Sequence, residues 1–300
     1  MESLFWRGVR AREAGRFEEA VGLFRQASER DHALATCHLA MMLGSGKGVT
    51  LDFAKAAELF RRSAEAGEPE GMLRLGVVLA GGIGVAKDPG QGAEWYLRAA
   101  EMGNVDAMFQ RAYALQEGLG ITKDPVRAAE WYRRAAEAGN VEAMLRRGFA
   151  LQEGLGVAKD LARAVEWYHR AAEQGNANAM ANLGSLLVRG EGVEKDEARA
   201  AKWFERAADA GDREGMLNLA LMLNVGSGVA KDPSRAAGLF RVCAKAGHEG
   251  AMINLARLLE GGRGVTKDEA QAVEWYRQAI QSKNEEVRRA AQEGLERLGK

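Results

Sequence analysis

The chain has 300 residues, of which 42 are basic and 42 acidic, so its formal net charge at neutral pH is zero. Because no overall field would attract a polyanion, this balance argues against nucleic acid as the main partner. There are four prolines and no apolar run near the roughly 18 to 20 residues that span a membrane, and the first residues lack the apolar core of a signal peptide. We therefore expect a cytoplasmic protein with no membrane insertion.

The first 31 residues are predicted to form a shorter, variant pair of helices. Glycine and apolar residues recur there at the spacing of a tetratricopeptide repeat, with Gly15 at the turn between the helices. The first helix is expected near Glu2 to Ala14, and it carries the polar outer face that a terminal repeat needs. Residues 1–31 are therefore interpreted as an N-terminal cap.

One helical stretch, Lys123 to Gly139, returns every 36 residues along the chain. Within it, Asp124 is placed to cap the helix, Pro125 suits the first turn, and Gly139 can take the left-handed conformation that ends the helix. The position of Trp131 recurs eight times without an insertion. These positions are Leu23, Leu59, Trp95, Trp131, Trp167, Trp203, Leu239 and Trp275. The conserved spacing along the chain predicts that the tryptophans fill the space between neighbouring helices.

A second predicted helix precedes this stretch in each repeat, and a glycine-rich loop joins the two. The helix is exemplified by Asn140 to Glu153, with Asn140 as its cap and Gly154 at its end. The loop that follows, Gly154 to Val157, has counterparts in the other repeats, where the two glycines supply positive φ. The chain ends in a charged helix, Asn284 to Leu298, which is expected to cap the array.

A fixed period of this length is the signature of a solenoid, in which each repeat buries its apolar face only against its neighbours. The sequence therefore predicts an all-α fold of about seventeen helices in a single repeat domain, residues 1–300. Within it, residues 32–282 form the repeats and residues 283–300 the C-terminal cap.

The repeated motif resembles the Sel1-like repeat, a relative of the tetratricopeptide repeat with a longer loop between its helices. One full copy is shown by Ala179, Leu183, Gly184, Gly190, Gly192, Val193, Asp196, Ala200, Trp203, Phe204, Ala207, Ala208 and Gly211. The resemblance covers about residues 31–282. It implies a right-handed α-solenoid of about eight helix-turn-helix repeats that acts as an adaptor or scaffold, with the first helix of each repeat lining a concave groove.

Nothing in the sequence predicts a catalytic residue, a metal site or a cofactor. The segment Gly44 to Thr50 lacks the order of a phosphate-binding loop, and the four histidines have no metal-ligand spacing. We therefore expect a protein that is not an enzyme. The alternative is the β-lactam-binding or hydrolase activity linked to cysteine-rich secreted relatives, which carry a disulfide in each repeat. This chain has only Cys37 and Cys243, which are expected to be reduced core residues.

The first helices supply the candidate binding residues. If these helices line a groove, apolar side chains with interleaved asparagine amides are suited to an extended protein or peptide partner. The alternative is that the same residues pack in the core. The apolar candidates are Leu73, Val77, Phe109, Tyr113, Leu145, Phe149, Leu217, Leu221 and Ile253. The amide candidates are Asn182, Asn218 and Asn254.

Two arginines depart from the motif. Arg111 and Arg147 stand where other repeats carry leucine, at positions 75, 183, 219 and 255. One interpretation is structural, with Asp106, Glu142 or a loop acid such as Glu117 or Glu153 pairing with them. The other is that the two guanidinium groups anchor a carboxylate of the partner.

Overall fold

The computed structural model describes residues 3–300, which form seventeen α-helices and contain no β-strand. Helix packing divides the chain into two compact units, the first ending at Lys159 and the second beginning at Asp160. In the first unit the helices are α1 Leu4–Glu13, α2 Phe17–Ser28, α3 Ala33–Ser45, α4 Phe53–Glu65, α5 Pro69–Gly81, α6 Pro89–Glu101, α7 Val105–Glu117, α8 Pro125–Glu137 and α9 Val141–Glu153. Within this unit, each helix from α1 to α8 packs against the helix that follows it.

The second unit continues the pattern of paired helices. Its members are α10 Leu161–Glu173, α11 Ala177–Arg189, α12 Glu197–Asp209, α13 Arg213–Val225, α14 Pro233–Lys245, α15 Glu249–Gly261, α16 Glu269–Ala279 and α17 Glu285–Arg297. The predicted all-α repeat is confirmed, although Glu2, where the first helix was expected to begin, lies outside the described residues. The single repeat domain stays a prediction. Among residues 3–300, no helix combines the length and the apolar character needed to cross a bilayer.

The helix ends form where the sequence predicts them. The backbone N–H of Arg127 donates to Asp124 Oδ1 at 2.9 Å, and the N–H of Ala143 donates to Asn140 Oδ1 at 2.8 Å. Gly154 closes α9 with φ of 74°. Each side-chain cap of this kind typically stabilises its helix by about 1 kcal/mol.

The aromatic core of the repeats lies one residue after the tryptophan position. The side chains buried there are Phe24, Phe60, Tyr96, Tyr132, Tyr168, Phe204, Phe240 and Tyr276. Trp131 and Trp167 are only half-buried, and Trp203 is the one tryptophan that is buried among the described residues. The prediction that the tryptophans fill the space between helices is therefore wrong for most repeats.

Arginine side chains stack over the rings of several of these tryptophans. The guanidinium of Arg134 lies 4.1 Å from the ring centroid of Trp131, and Arg170 lies 4.7 Å from that of Trp167. The same stack recurs in α6 and α12. A cation over an indole face is favourable by about 0.5–1 kcal/mol at an exposed site. Arg134 thus packs over the ring of Trp131, while Glu130 forms an ion pair with Arg133 at 2.6 Å.

Small residues on the first helices make room for the buried aromatic rings. A Cβ added to Gly184 would lie 2.7 Å from Cε1 of Phe204, and one added to Gly76 would lie 2.6 Å from Cε1 of Tyr96. Both distances are shorter than the closest approach of two nonbonded carbon atoms. Close packing therefore favours glycine at Gly76 and Gly184, whereas other repeats hold alanine at this position, as at Ala112, Ala220 and Ala256.

The second glycine of each connecting loop touches the preceding repeat. Gly156 has φ of 69°, and a Cβ added there would collide with the backbone carbonyl of Pro125 at the start of α8. The corresponding pairs elsewhere are Gly48 with Phe17, Gly84 with Phe53, Gly120 with Pro89, Gly192 with Leu161, Gly228 with Glu197, and Gly264 with Pro233. The loop is thus a contact between successive repeats as well as a connector.

The two cysteines are core residues, as predicted. Cys37 and Cys243 are both fully buried and carry free thiols. Burial raises the pKa of the Cys37 thiol to about 12 and also raises the pKa of Cys243. Neither thiol is therefore ionised near neutral pH, which makes both poor nucleophiles.

Candidate partner-binding surface

Four of the predicted groove residues form a recurrent exposed set, which we call the exposed stripe. It consists of Val77, Tyr113, Phe149 and Leu221, whose side chains are 36% to 43% exposed. They occupy the same position of the 36-residue period, one per first helix. In the first unit the stripe runs through α5, α7 and α9, whereas Ser185 and Arg257 take this position in α11 and α15. Apolar surface at this position is therefore concentrated in the first unit.

The other apolar candidates are less accessible. Leu73, Leu145 and Ile253 are buried, with at most 8% of their surface exposed. Phe109 and Leu217 are half-buried, and the ring of Phe109 packs on Tyr132 with 5.7 Å between the centroids. Core packing thus accounts for the apolar character of the three buried side chains, and their predicted role in binding stays a prediction.

The asparagine candidates are all half-buried. Nδ2 of Asn254 donates to the carbonyl of Gly250 at 2.8 Å, and Nδ2 of Asn218 approaches Glu214 Oε1 at 3.5 Å. Both contacts lie within the residue's own helix. To bind the backbone of a partner, each amide would have to give up its present contact. The role predicted for Asn182, Asn218 and Asn254 stays a prediction.

Arg111 donates to a backbone carbonyl rather than to an acid. Its Nη1 donates to the carbonyl of Ala93 in α6 at 2.9 Å, while its Nε is buried without a hydrogen-bond partner. The expected acids are engaged elsewhere, since Glu142 pairs with Arg146 at 3.1 Å and Asp106 accepts from Asn140. The interpretation of a carboxylate pair for Arg111 is therefore wrong. Burial lowers the pKa of its guanidinium.

We expect Arg111→Leu to raise the stability of the protein. Two other repeats carry leucine at this position, Leu75 and Leu255, and both side chains are fully buried. The substitution also removes the buried Nε of Arg111, which has no hydrogen-bond partner. The gain is expected to be about 1 kcal/mol, measured as a rise in the midpoint of thermal unfolding. Arg74→Leu, at a partly exposed ion pair with Glu70, is the control and should change stability by less than about 0.5 kcal/mol. A lower midpoint for Arg111→Leu would show that the hydrogen bond to Ala93 outweighs the buried Nε.

Arg147 occupies the same position of the next repeat and is also half-buried. The pKa of Glu130 is lowered first by the hydrogen bond from Arg133, and the charge of Arg147 contributes to the same shift. Arg147 therefore lies near an acid of the second helix. Its role as an anchor for a partner carboxylate stays a prediction.

A cavity of about 350 Å³ opens between α7, α8 and α9, and Phe149 of the exposed stripe forms part of its wall. Its apolar walls also include Ala128, Ala129 and Ala150. Its remaining lining residues are Gln116, Glu117, Lys123, Pro125, Tyr132, Arg146 and Leu155. The cavity therefore combines a largely apolar interior with a few polar groups, as ligand sites in proteins do.

Among the residues that line this cavity, Tyr132 carries the polar group of most interest, its hydroxyl. The side chain is 2% exposed, and its hydroxyl is buried with no hydrogen-bond partner. Burial raises the pKa of this hydroxyl, so it stays protonated. In the last repeat the equivalent Tyr276 donates to Glu260 Oε2 at 2.7 Å. In the repeat of Tyr132, the position equivalent to Glu260 is occupied by Gln116. The side-chain amide of Gln116 donates to Glu117 at 2.7 Å instead.

This difference predicts opposite effects for one substitution at two equivalent positions. Tyr132→Phe removes a hydroxyl that has no partner, so we expect unchanged stability or a gain of up to about 1 kcal/mol. Tyr276→Phe removes a hydrogen bond to an ionised carboxylate, so we expect a loss of about 1–3 kcal/mol. Thermal unfolding followed by circular dichroism at neutral pH measures both. Equal losses at the two positions would mean that Tyr132 has a hydrogen-bond partner in solution.

The cavity residues Gln116, Tyr132, Arg146 and Ala150 were not among the residues predicted from the sequence. One signal was present, since Ala150 and Ala114 are the smallest residues at a position that carries Val78, Leu186, Met222 or Leu258 in other repeats. The arrangement offers apolar contact area and hydrogen bonding. Within residues 3–300, no three His, Cys, Asp or Glu side chains group so as to hold a metal ion.

Comparison with protein families identifies the repeat. The family described as Sel1 repeat matches seven consecutive segments, residues 33–68, 69–104, 105–140, 141–176, 177–212, 213–248 and 250–284. No curated protein matches the chain.

Two solved structures are similar along most of the chain. One is c5321, a protective antigen present in uropathogenic Escherichia coli, with 32% identity and a TM-score of 0.84 over 93% of this chain. This chain spans 64% of the length of c5321. The other is a Sel1 repeat protein from Oxalobacter formigenes, with 31% identity and a TM-score of 0.73 over 81% of this chain and 99% of that one. With seven matched repeats and these two likenesses, the chain belongs to the Sel1-repeat family.

Proposed function

We propose that the chain is a non-catalytic scaffold that binds a segment of a partner protein along its first helices. The observation that carries the proposal is the exposed stripe, which presents Val77, Tyr113 and Phe149 on α5, α7 and α9 at one position of the period. Large apolar side chains that recur on a folded surface are typical of binding sites, and aromatic residues contribute most to binding energy there.

The family supports the same conclusion, since Sel1-repeat solenoids generally act in protein–protein interaction. The charges of the chain balance, so the binding surface is expected to rely on apolar contact more than on long-range attraction. A cytoplasmic location is part of the proposal, and the two free, buried thiols agree with a reducing compartment.

The proposal can be tested with peptides selected from a phage-displayed random library on the immobilised wild-type protein. Selected peptides are labelled, and their dissociation constants are measured by fluorescence anisotropy. The double variant Tyr113→Ser, Phe149→Ser replaces both side chains by serine, the residue that α11 carries at the same position, Ser185. Because the two native side chains are exposed, the variant should retain its helix content while binding the peptides at least tenfold more weakly.

The control is a double variant of exposed apolar residues on second helices, Val126→Ser, Val242→Ser. These side chains are 64% and 51% exposed and lie outside the stripe. The control should bind the peptides as tightly as the wild type. Selected peptides that bind the stripe variant and the wild type equally, or a selection that yields no binding peptide, would contradict the proposal.

A further inference from the structure

We propose that the cavity between α7, α8 and α9 receives one aromatic side chain of the bound segment, and that tyrosine is the side chain it fits. The inference rests on the proposed function, because Phe149 belongs both to the exposed stripe and to the cavity wall. A segment lying along the stripe would therefore pass over the mouth of the cavity.

The size of the cavity suits a single ring. Its volume is about 350 Å³, at the lower end of the range of roughly 300–1,000 Å³ that binding pockets occupy. In another protein, an apolar cavity of roughly 150 Å³ already holds benzene. A phenol ring with its hydroxyl and the first atoms of its backbone is thus within the available space.

The walls favour an aromatic body over a flexible polar chain. Ala128, Ala129 and Ala150 are fully or almost fully buried and offer only methyl groups, and Phe149 offers an aromatic ring. Arg146 also lines the cavity. Its guanidinium can lie over a bound ring, the arrangement that Arg98 and Arg134 adopt over tryptophans of this chain at 4.6 and 4.1 Å.

The polar groups of the cavity wall favour a bound side chain whose end is uncharged and forms hydrogen bonds. The buried hydroxyl of Tyr132 has no partner and can either donate or accept. Among the residues described in the cavity wall, a partner carboxylate has no free cation to favour it, because Arg146 is already paired with Glu142 at 3.1 Å and the negative charge of Glu117 offsets the positive charge of Lys123. The phenolic hydroxyl of tyrosine can pair with Tyr132 in either direction and adds no charge.

A small residue, Ala150, forms part of the cavity wall. Ala150 stands where other repeats place Val78, Leu186, Met222 or Leu258, all buried side chains. The atoms that fill this position elsewhere are therefore missing at the cavity wall. Ala150→Leu introduces the residue that two other repeats carry at this position, Leu186 and Leu258. The new side chain should fill the space with little disturbance of the fold.

The test uses the full chain and two small probes, N-acetyl-tyrosinamide and N-acetyl-phenylalaninamide, titrated by NMR and calorimetry. We expect the wild type to bind both saturably and to prefer the tyrosine probe about fivefold, the factor that one hydrogen bond of about 1 kcal/mol provides. Tyr132→Phe should abolish the preference and retain binding. Ala150→Leu should abolish the binding of both probes.

Matched variants separate these effects from general damage. Tyr96→Phe and Ala114→Leu make the same changes one repeat earlier, at residues that do not line the cavity, and both should bind the probes as the wild type does. The inference is overturned if the wild type binds neither probe, if it shows no preference for tyrosine, or if Ala150→Leu binds like the wild type.

The same variants distinguish this inference from the proposed function. If Ala150→Leu retains the affinity for library-selected peptides that the stripe variant loses, the scaffold stands and the cavity has no role in it. If both variants lose peptide affinity and the probes behave as expected, both proposals hold.

Discussion

Replacing Phe240 by alanine should lower the free energy of unfolding by about 3–5 kcal/mol, the range found for buried aromatic residues. Phe240 is fully buried in α14, where it holds the core position that follows the tryptophan position. Truncation removes the whole ring from a packed interior, and the surrounding helices can close the void only partly. Because a repeat contacts mainly its neighbours, the loss of protection should centre on α13, α14 and α15. Hydrogen exchange read by mass spectrometry would show this directly.

Trp167→Ala is the matched comparison, because tryptophan is the larger residue and the sequence motif marks it at least as strongly. Trp167 is half-buried with Arg170 over its ring, so its truncation should cost less than half as much as that of Phe240. Chemical denaturation followed by circular dichroism measures both variants. An equal or larger loss at Trp167, or loss of exchange protection in all helices at once, would contradict the assignment of the core and the local character of the packing.

The elements of this fold could be predicted because local signals and the period agree. Asp124, Pro125 and Gly139 mark the limits of α8, and each acts through backbone chemistry that does not depend on distant residues. The 36-residue period then places the same helix in every repeat, which multiplies the evidence for each boundary.

The choice between tryptophan and tyrosine as the core residue could not be made in the same way. Trp131 and Tyr132 are adjacent and recur at the same period, so periodicity alone marks both equally. Which of them is buried depends on how the helix is turned toward its neighbours, and a difference of one residue turns the side chain by about 100° on a helix. An arginine stands three residues after Trp95, Trp131 and Trp167, which are half-buried, but Arg206 follows the buried Trp203 in the same way, so this arginine does not settle the choice either.

The candidate surface was predicted in part for a similar reason. Val77, Tyr113, Phe149 and Leu221 are exposed, but Leu73 and Leu145, four residues before two of them, are buried. A stripe of apolar residues along a helix does not by itself show where the core ends and the surface begins. The unpartnered hydroxyl of Tyr132 was missed because it depends on which way the amide of Gln116 turns, which only the packed structure shows.

The second large effect is expected at the connecting loop, where Gly156→Ala should destabilise the protein by about 2–5 kcal/mol. Part of this is the cost of placing a side chain in a left-handed conformation, about 1–2 kcal/mol, since Gly156 has φ of 69°. The rest arises because the new methyl group would collide with the carbonyl of Pro125, so the loop and the start of α8 must move apart. Such overpacking typically costs a further 1–3 kcal/mol or so. The midpoint of thermal unfolding and exchange protection at the start of α8 measure the effect.

Gly154→Ala separates the conformational part of this loss from the steric part. Gly154 lies in the same loop with a similar φ of 74°, but the nearest atom to an added Cβ is the carbonyl oxygen of Val157 at 3.6 Å, an ordinary contact. Its substitution should therefore cost only the conformational part, about 1–2 kcal/mol, and should leave the start of α8 protected. If Gly154→Ala and Gly156→Ala are equally destabilising, the contact between the loop and Pro125 does not stabilise the array, and the second glycine serves backbone conformation alone.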